Sequence, residues 1–472
     1  MPKKLITMLF ASLLIFTLIL SACAPPPVVE EEPEMEEVEE PEEEMVEEEE
    51  AEVEEEPMMD LSGTTISFWH VWGEGDDLGA IVGNMVDEFN ATNEWGIVVE
   101  DFDQEDYTPL VDKVNAGIQS GDLPNIVQAY TSDINNWDLV DLVVDLEPFV
   151  YDADYGLTEA ELADIYPSVL ELGVNVDGER LAWPLSQSAN ALVYDHTWAQ
   201  ELGFDAAPTN TAELKEQLCA AAEANLTDDN PDNDGGTGLV WYASNSNLLG
   251  FIHAFGGDVL NDEGTAYEFN TPEVVAAAMY INELRDAGCT FTTESYPNPE
   301  QANRLALMTI SSTNGLKYYG YAYEESPFAD DEWGFLPFVG PDGQKANVAW
   351  TQMVGVLKST PEQELASWLF IKFLTSAENQ ATYIMNSGYL PTHFSTEEML
   401  ADYFASVPQY ESTVAVAQLG NAEPETFTAW SSVRRALGDA AAELYAATSE
   451  EEVISILEAL DVTAAELVAE IE

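Results

Sequence analysis

The chain has 472 residues, with 90 Asp and Glu against 13 Lys and Arg, for a formal charge of −77. That length exceeds one compact domain, and hydrophobic residues at 46% with aromatics at 10% support substantial cores, so two or more lobes are expected. So strong a polyanion is repelled by phosphate backbones, which excludes broad binding to DNA or RNA, and no apolar run after the first 22 residues reaches membrane-spanning length.

The first segment has the features of an export signal. Lys3 and Lys4 precede an apolar stretch at residues 5–20, and Leu20-Ser21-Ala22-Cys23 follows. Sixteen apolar residues are marginal for a transmembrane anchor, the competing reading. Leu-Ser-Ala-Cys resembles the bacterial lipobox, which implies cleavage before Cys23, a signal peptide at 1–22 and a lipid on the Cys23 sulfur. Each buried acyl CH₂ contributes roughly 0.8 kcal/mol, so several chains would hold the protein firmly at a membrane surface. Residues 23–60 then form the expected tether. Between Glu30 and Asp60 lie 19 Glu, one Asp and no basic residue, and Pro33, Pro41 and Pro57 interrupt any helix. Such a self-repelling segment reads as a disordered spacer that reaches about 130 Å when fully extended. The leader carries +2 and the tether −20, which leaves −59 for residues 61–472.

After the tether, strand and helix patterns alternate. Residues 65–72 (TISFWHVW) are β-branched and aromatic, as a strand requires. Leu78, Ile81, Val82, Met85, Val86 and Phe89 recur at helical spacing and define one apolar face. Residues 97–102 (IVVEDF) make a second strand. Tyr107, Leu110, Val111, Val114 and Ile118 make another helical stripe, and residues 125–131 (NIVQAYT) a third strand. This alternation predicts parallel βαβ units, with ligands bound beyond the C-terminal strand ends at residues 69–74, 103–104 and 130–133. Farther on, Thr271-Pro272-Glu273 and Thr360-Pro361-Glu362 each place Thr at the cap, Pro at the first helical position and an acid in the first turn. Ser449 with Glu452 forms a capping box for the final helix.

Eight segments in order carry a resemblance over residues 61–472: SFWHVWGEGDDLG, LPNIVQAY, WPLSQSANALVYDHTWAQELGFD, HAFGGDVL, FNTPEVVAAAMYINELRDAGC, RLALMTISSTNG, LASWLFIKFLTSAENQATYI and NSGYLPTH. Together they resemble an extracellular solute-binding protein of family 1, the sugar-type receptor of an ABC importer. The resemblance implies an α/β, two-lobed periplasmic-binding-protein-like fold of type II that closes over a ligand. It assigns 61–185 and 336–387 to the first lobe, and 186–335 and 388–472 to the second. The hinge is expected near residues 184–188, with a return to the first lobe from Gly334 and another crossing at Gly388-Tyr389-Leu390-Pro391.

A neutral sugar offers hydroxyls that need paired hydrogen bonds and apolar ring faces that stack on aromatic rings. The segments expected at the cleft supply both kinds of partner. Trp72 and Glu74 follow the first strand, Gln104 the second, and Tyr130 with Asp133 the third. Gln187 and Ser188 lie at the hinge. Trp241, Tyr242 and Asn245 match a region of stacking aromatics, Ser312, Thr313 and Asn314 follow LALMTI, Trp350 and Gln352 lie in ANVAWTQM, and Tyr389 lies in GYLP. Hinge or core packing is the alternative for each. The same segments also resemble glycerol-3-phosphate and glycerophosphodiester receptors, which hold phosphate partly through a late Arg. Thr426 stands at that place here, and Arg434 and Arg435 read as helix surface, so a sugar is favoured.

Three features complete the reading. Cys219 and Cys289 remain once Cys23 takes a lipid, and an exported chain favours a disulfide between them over two buried thiols. Asn230, Asp232 and Asp234 have the alternate spacing of half a calcium loop, but Trp241 stands where the closing Glu belongs, so a solvated acidic turn competes with a structural calcium site. No cofactor is otherwise implied. No metalloprotease, nucleophile-elbow or P-loop motif appears and no repeat is visible, so the expectation is a monomeric receptor, with an ABC permease as partner, rather than a carbohydrate-active enzyme or a surface-layer protein.

Overall fold

The computed structural model describes residues 59–73, 77–175, 178–231, 233–293, 296–425, 427 and 429–471. The signal peptide, Cys23, most of the tether, Glu74, Asp232 and Thr426 lie outside the described residues. Helices of eight residues or more are numbered below.

The chain opens as β1 (Thr65–His70), α1 (Asp77–Thr92), β2 (Val98–Asp103), α2 (Tyr107–Ser120), β3 (Ile126–Ala129) and α3 (Thr131–Asp138). In β1 the side chains of Ile66, Phe68 and His70 turn inward alternately, because successive strand residues face opposite sides. Helix α1 buries Leu78, Val82, Met85, Val86 and Phe89, the face expected from their spacing. In α2, Leu110, Val111 and Val114 are buried while Ile118 is exposed. Asp106 accepts from the Tyr107 amide to start that helix, and Gly121, at φ 78°, ends it in a left-handed conformation that favours glycine. The β1–β2 and β1–β3 pairs are parallel, as βαβ units require.

A 13-residue strand, β4 (Trp183–Asp195), then leaves the first lobe. The second lobe continues through α4 (Thr211–Thr227), β5 (Thr237–Trp241), α5 (Asn245–Ala254), α6 (Pro272–Asp286), β6 (Thr290–Thr292) and β7 (Ala306–Ser312). Next come α7 (Leu316–Glu325), β8 (Trp333–Leu336), β9 (Phe338–Val339), β10 (Lys345–Ala346) and β11 (Val348–Val356). The chain ends in α8 (Pro361–Leu374), α9 (Ala377–Met385), α10 (Tyr410–Ala417), α11 (Trp430–Ala446) and α12 (Glu450–Ile471). Thr271 accepts from the Val274 amide and Thr360 from the Gln363 amide, as expected. Only half of the expected capping box forms: Ser449 accepts from the Glu452 amide, but the Glu452 carboxylate accepts from the Thr448 amide and hydroxyl instead of the Ser449 amide.

One sheet runs through both lobes in the order β2-β1-β3-β11-β4-β7-β5-β6, with β8 also paired to β4. Its middle is the antiparallel β11–β4 pair, from Val348 opposite Asn190 to Val354 opposite Trp183, with a bulge between Gln352 and Met353. At one end β11 pairs with β3 through residues 353–356, and at the other β4 pairs with β7 through residues 190–194. Residues 184–188, where the hinge is expected, lie within β4. The expected return from Gly334 is not observed: Phe338, Val339, Ala346 and Val348 are buried in the second core, so the chain re-enters the first lobe only along β11. Hydrophobic residues at β9 and β10 pack on α5, which holds the segment in the second lobe.

Cys219, in α4, and Cys289, before β6, are bridged with Cα atoms 4.7 Å apart across a sequence separation of 70. Closing a loop of that length removes unfolded-state entropy worth roughly 4 kcal/mol in the chain-entropy model. A Cys219→Ser/Cys289→Ser variant is therefore expected to lose about that much stability in denaturant unfolding; an unchanged midpoint and slope would contradict it.

Candidate functional site

The hinge strands carry a row of polar side chains on one face. Directly paired residues of antiparallel strands share a face, so Ser186 and Gln352, and Ser188 and Trp350, stand side by side. Gln352 is the centre of a closed network. Its carbonyl accepts from Ser186 Oγ at 2.8 Å and Tyr383 OH at 2.9 Å, and its amide donates to Tyr389 OH at 2.7 Å and Tyr107 OH at 3.1 Å. Asn314 donates to the same Tyr389 oxygen at 3.0 Å and accepts from Ser312 Oγ, while Trp72 Nε1 donates to Tyr383 OH at 3.1 Å. Residues far apart in sequence therefore meet at the strand crossing, with their polar atoms satisfied. Gly388, at φ 74°, admits the turn that delivers Tyr389. A Cβ there would meet the Thr313 carbonyl oxygen at 3.3 Å.

Beside these strands opens a cavity of about 1240 Å³. Gln187, Ser188, Ala349, Trp350 and Thr351 line its hinge side, Thr131 and residues 171–174 its first-lobe side, and Tyr410, Val414, Glu423 and Glu425 the side formed by the returning chain. Two smaller cavities, of about 780 and 760 Å³, are lined in the first case by residues including Phe89, Trp183, Leu369 and His393 and in the second by residues including Tyr280, Arg285 and Ser449.

The lobes meet at the rim of the large cavity. From the first lobe, Tyr130 stacks on Tyr107 with ring centroids 4.5 Å apart, and the Arg434 guanidinium lies 5.2 Å from the Tyr130 ring centroid. Asp133 accepts from Ser431 Oγ, and Asn135 donates to the Glu425 carbonyl at 3.4 Å. Arg434 pairs with Glu423 at 2.6 Å and donates to Ser246 Oγ at 3.2 Å, while Trp430 Nε1 donates to Glu423 at 3.1 Å. Burial works against the Arg434 charge, yet Glu423, Tyr130 and Glu425 hold its proton more tightly than usual. Burial pushes the Tyr130 phenol up to about 12, against the pull of Arg434. The Asp133 carboxyl is raised by burial, opposed by the Ser431 hydrogen bond and the two arginines.

The expected site residues are spread over several different environments. Gln187, Ser188 and Trp350 line the cavity, and Tyr130, Asp133 and Asn245 lie at the lobe junction, where Asn245 donates to the Arg434 carbonyl at 3.2 Å. Trp72, Ser312, Asn314, Gln352 and Tyr389 form the hinge network. Thr313 is buried against Ser188, whose hydroxyl lies 3.1 Å from its own. Gln104 stays within the first lobe, accepting from Lys113 and donating to the Phe102 carbonyl. Trp241 is corrected to core: its ring is 1% exposed and stacks on Tyr445 inside the second lobe. Tyr242 is exposed, and its carbonyl accepts from Asn247 at 2.7 Å.

Arg434 is a second correction. Trp430, Val433 and Leu437 are the buried stripe of α11, and Arg434, four residues from Trp430, flanks it instead of facing solvent. That spacing was available in the sequence. Tyr107, Tyr383, Glu423 and Glu425 carried no local signal. In the acidic turn, Asp228 accepts from the Asn230 amide and from Asn233. Asp232 lies outside the described residues, and no group of three His, Cys, Asp or Glu among the described residues is placed to hold a metal.

A family model for bacterial extracellular solute-binding proteins matches residues 84–411. No curated protein matches in sequence at a significant level. Among solved structures, UgpB from Mycobacterium tuberculosis in complex with glycerophosphocholine is similar with a TM-score of 0.72 and 18% identity, over 87% of this chain and 99% of that one. The sugar-binding protein MalE from Xanthomonas citri gives 0.70 and 19%, over 86% and 98%. The cyclic alpha-maltosyl-1,6-maltose binding protein from Arthrobacter globiformis gives 0.68 and 19%, over 86% and 99%. These likenesses establish a shared two-lobed fold.

One group at the lobe junction titrates near neutrality. Burial, then the neighbouring Glu423, raises Glu425 from its ordinary 4.5 to about 7, while Thr131 and Arg434 pull it down and Asp133 pushes it up. A carboxyl raised by folding binds its proton more tightly in the folded state, so this contribution to stability is lost as pH rises from about 4.5 to about 7. Glu425→Gln is expected to flatten that part of the stability profile, measured as the melting temperature across the interval; an unaltered slope would place the titration elsewhere.

Proposed function

The chain belongs to the bacterial extracellular solute-binding proteins, and on that premise we propose that it captures a carbohydrate by lobe closure and delivers it to an ABC permease. The observation that carries this reading is the cavity at the hinge. It lies where two lobes meet, is large enough for a mono- or oligosaccharide, and mixes the Trp350 ring with Gln187, Ser188 and Thr131. An aromatic face for sugar C–H groups and amide or hydroxyl partners for sugar hydroxyls are the two chemistries a neutral sugar needs.

Closure is a population shift. Ligand touching Thr131 from one lobe and Glu423 from the other gains contacts only when both walls are close, and that differential favours the closed state. The β4–β11 ladder lets the lobes turn about two strands without breaking either. A receptor of this kind performs no bond chemistry, so purified protein is expected to leave oligosaccharides intact.

Among the described residues no helix is long and apolar enough to cross a membrane. The lipobox-like Leu20-Ser21-Ala22-Cys23 and the acidic spacer support a lipid anchor on the outer face of the cell membrane. A glycerophosphodiester ligand is the second reading, favoured by the position of Arg434 at the cavity rim, but Glu423 already pairs with that cation.

Three outcomes test this. In a thermal-shift screen over mono- and oligosaccharides, polyols and glycerophosphodiesters, carbohydrates are expected to raise the melting temperature; stabilisation by phosphodiesters alone would overturn the sugar assignment. Trp350→Ala is expected to weaken the bound sugar by about tenfold or more, as loss of an aromatic anchor does, whereas unchanged affinity would move the site off the hinge. Cys23→Ser is expected to release the protein from the membrane fraction, and retention there would refute the lipid anchor.

A further inference from the structure

The charge arrangement at the cavity narrows the ligand class, an inference that rests on the cleft reading above. Two arginines act at the lobe junction: Arg435, exposed on α11 and felt by Asp133, and Arg434, which stands beside the cavity wall that Glu423 and Glu425 line and is not free. Glu423 holds it at 2.6 Å, with the Glu423 side chain only 2% exposed. Glu423 is itself fixed by Trp430 Nε1 at 3.1 Å and Ser246 Oγ at 3.3 Å, so it has three partners and no room to swing aside. Glu425 lies on the same wall, Glu171, Glu397 and Glu411 line the cavity elsewhere, and among the described residues no Lys, Arg or His lines it.

We propose that Glu423 sets the charge specificity of this cleft: by occupying Arg434 it excludes anionic ligands, uronic acids and sugar phosphates among them, and reserves the site for uncharged and amine-bearing sugars. An anion recruiting Arg434 would leave Glu423 buried without its cation, and breaking such a pair costs far more than the pair contributes while intact. An anion that leaves the pair alone enters a cavity walled by carboxylates, where partial removal of water strengthens the repulsion. An uncharged ligand avoids both penalties and still finds acceptors for its hydroxyls. An ammonium group finds carboxylates in addition.

Isothermal titration of the full chain with glucose, glucosamine and glucuronate reads the rule directly. Glucuronate is expected to bind at least about tenfold more weakly than glucose. Inorganic phosphate supplies a probe that does not depend on sugar binding. At matched ionic strength it is expected to leave the melting temperature of the wild type unchanged, to raise that of Glu423→Gln, and to lose this effect in Glu423→Gln/Arg434→Gln. Gln keeps an acceptor for Trp430 and Arg434 while removing the charge, and its amide nitrogen can donate to Ser246 Oγ in place of the bond that Ser246 donates to Glu423. Glucuronate binding as tightly as glucose, phosphate stabilising the wild type, or phosphate failing to stabilise a folded Glu423→Gln would each overturn the proposal. If Glu423→Gln does not fold, the wild-type phosphate and glucuronate measurements decide. Failure of every sugar to bind, with the phosphate pattern as expected, would sink the carbohydrate reading alone.

Discussion

Everything in this molecule depends on the antiparallel pairing of β4 with β11. A sheet shared by two lobes must be crossed by continuous backbone whose N–H and C=O groups stay paired, because an orphaned group in a buried strand is costly. β4 meets that demand by pairing with β11 in its first part and with β7 and β8 farther on, and β11 does so by passing from β4 to β3. The bulge between Gln352 and Met353 lies where these loyalties change, and bulges bend and twist the strand that holds them. The lobes are thus joined by two strands with a defined register and by a third crossing at Leu390, which bridges to Gln187 of β4, and the polar network around Gln352 grows from that register.

The same geometry explains why the site is polar yet ordered. Gln352, Tyr389, Tyr383, Tyr107, Asn314 and Trp72 come from six separate segments, and each supplies a hydrogen bond the others need. A partly satisfied network would be worse than an apolar hinge, so the set holds as a unit or not at all. Outside it, the lobe junction uses charge differently. Arg434 joins Tyr130 of the first lobe to Glu423 and Ser246 of the second, which ties the chemistry of the cleft wall to closure itself.

Legibility varied with how local each signal was. The α1 stripe from Leu78 to Phe89 and the caps at Thr271, Thr360 and Ser449 were readable because helix periodicity and capping act within a few residues. Trp241 and Trp350 were indistinguishable in sequence, since each is an aromatic in a strand. One stacks on Tyr445 in the core, and the other faces the cavity because its strand partner Ser188 does. The return to the first lobe was placed too early because two short strands, β9 and β10, pack on α5 through contacts that only the folded chain creates.

The sequence by itself determined the alternation of strands and helices, the strongly acidic surface, the expected tether and the order of segments that marks the family, all of which depend on composition or short-range pattern. The cysteine count and export signal already favoured the Cys219–Cys289 bridge that the structure contains, whereas only the tertiary structure decided which polar residues meet around β4 and β11 and that Arg434 faces Glu423 across from Tyr130. Those facts join residues up to hundreds of positions apart. Local propensity carries no information about such distances; burial and the demand that buried charges and hydrogen-bonding groups find partners do.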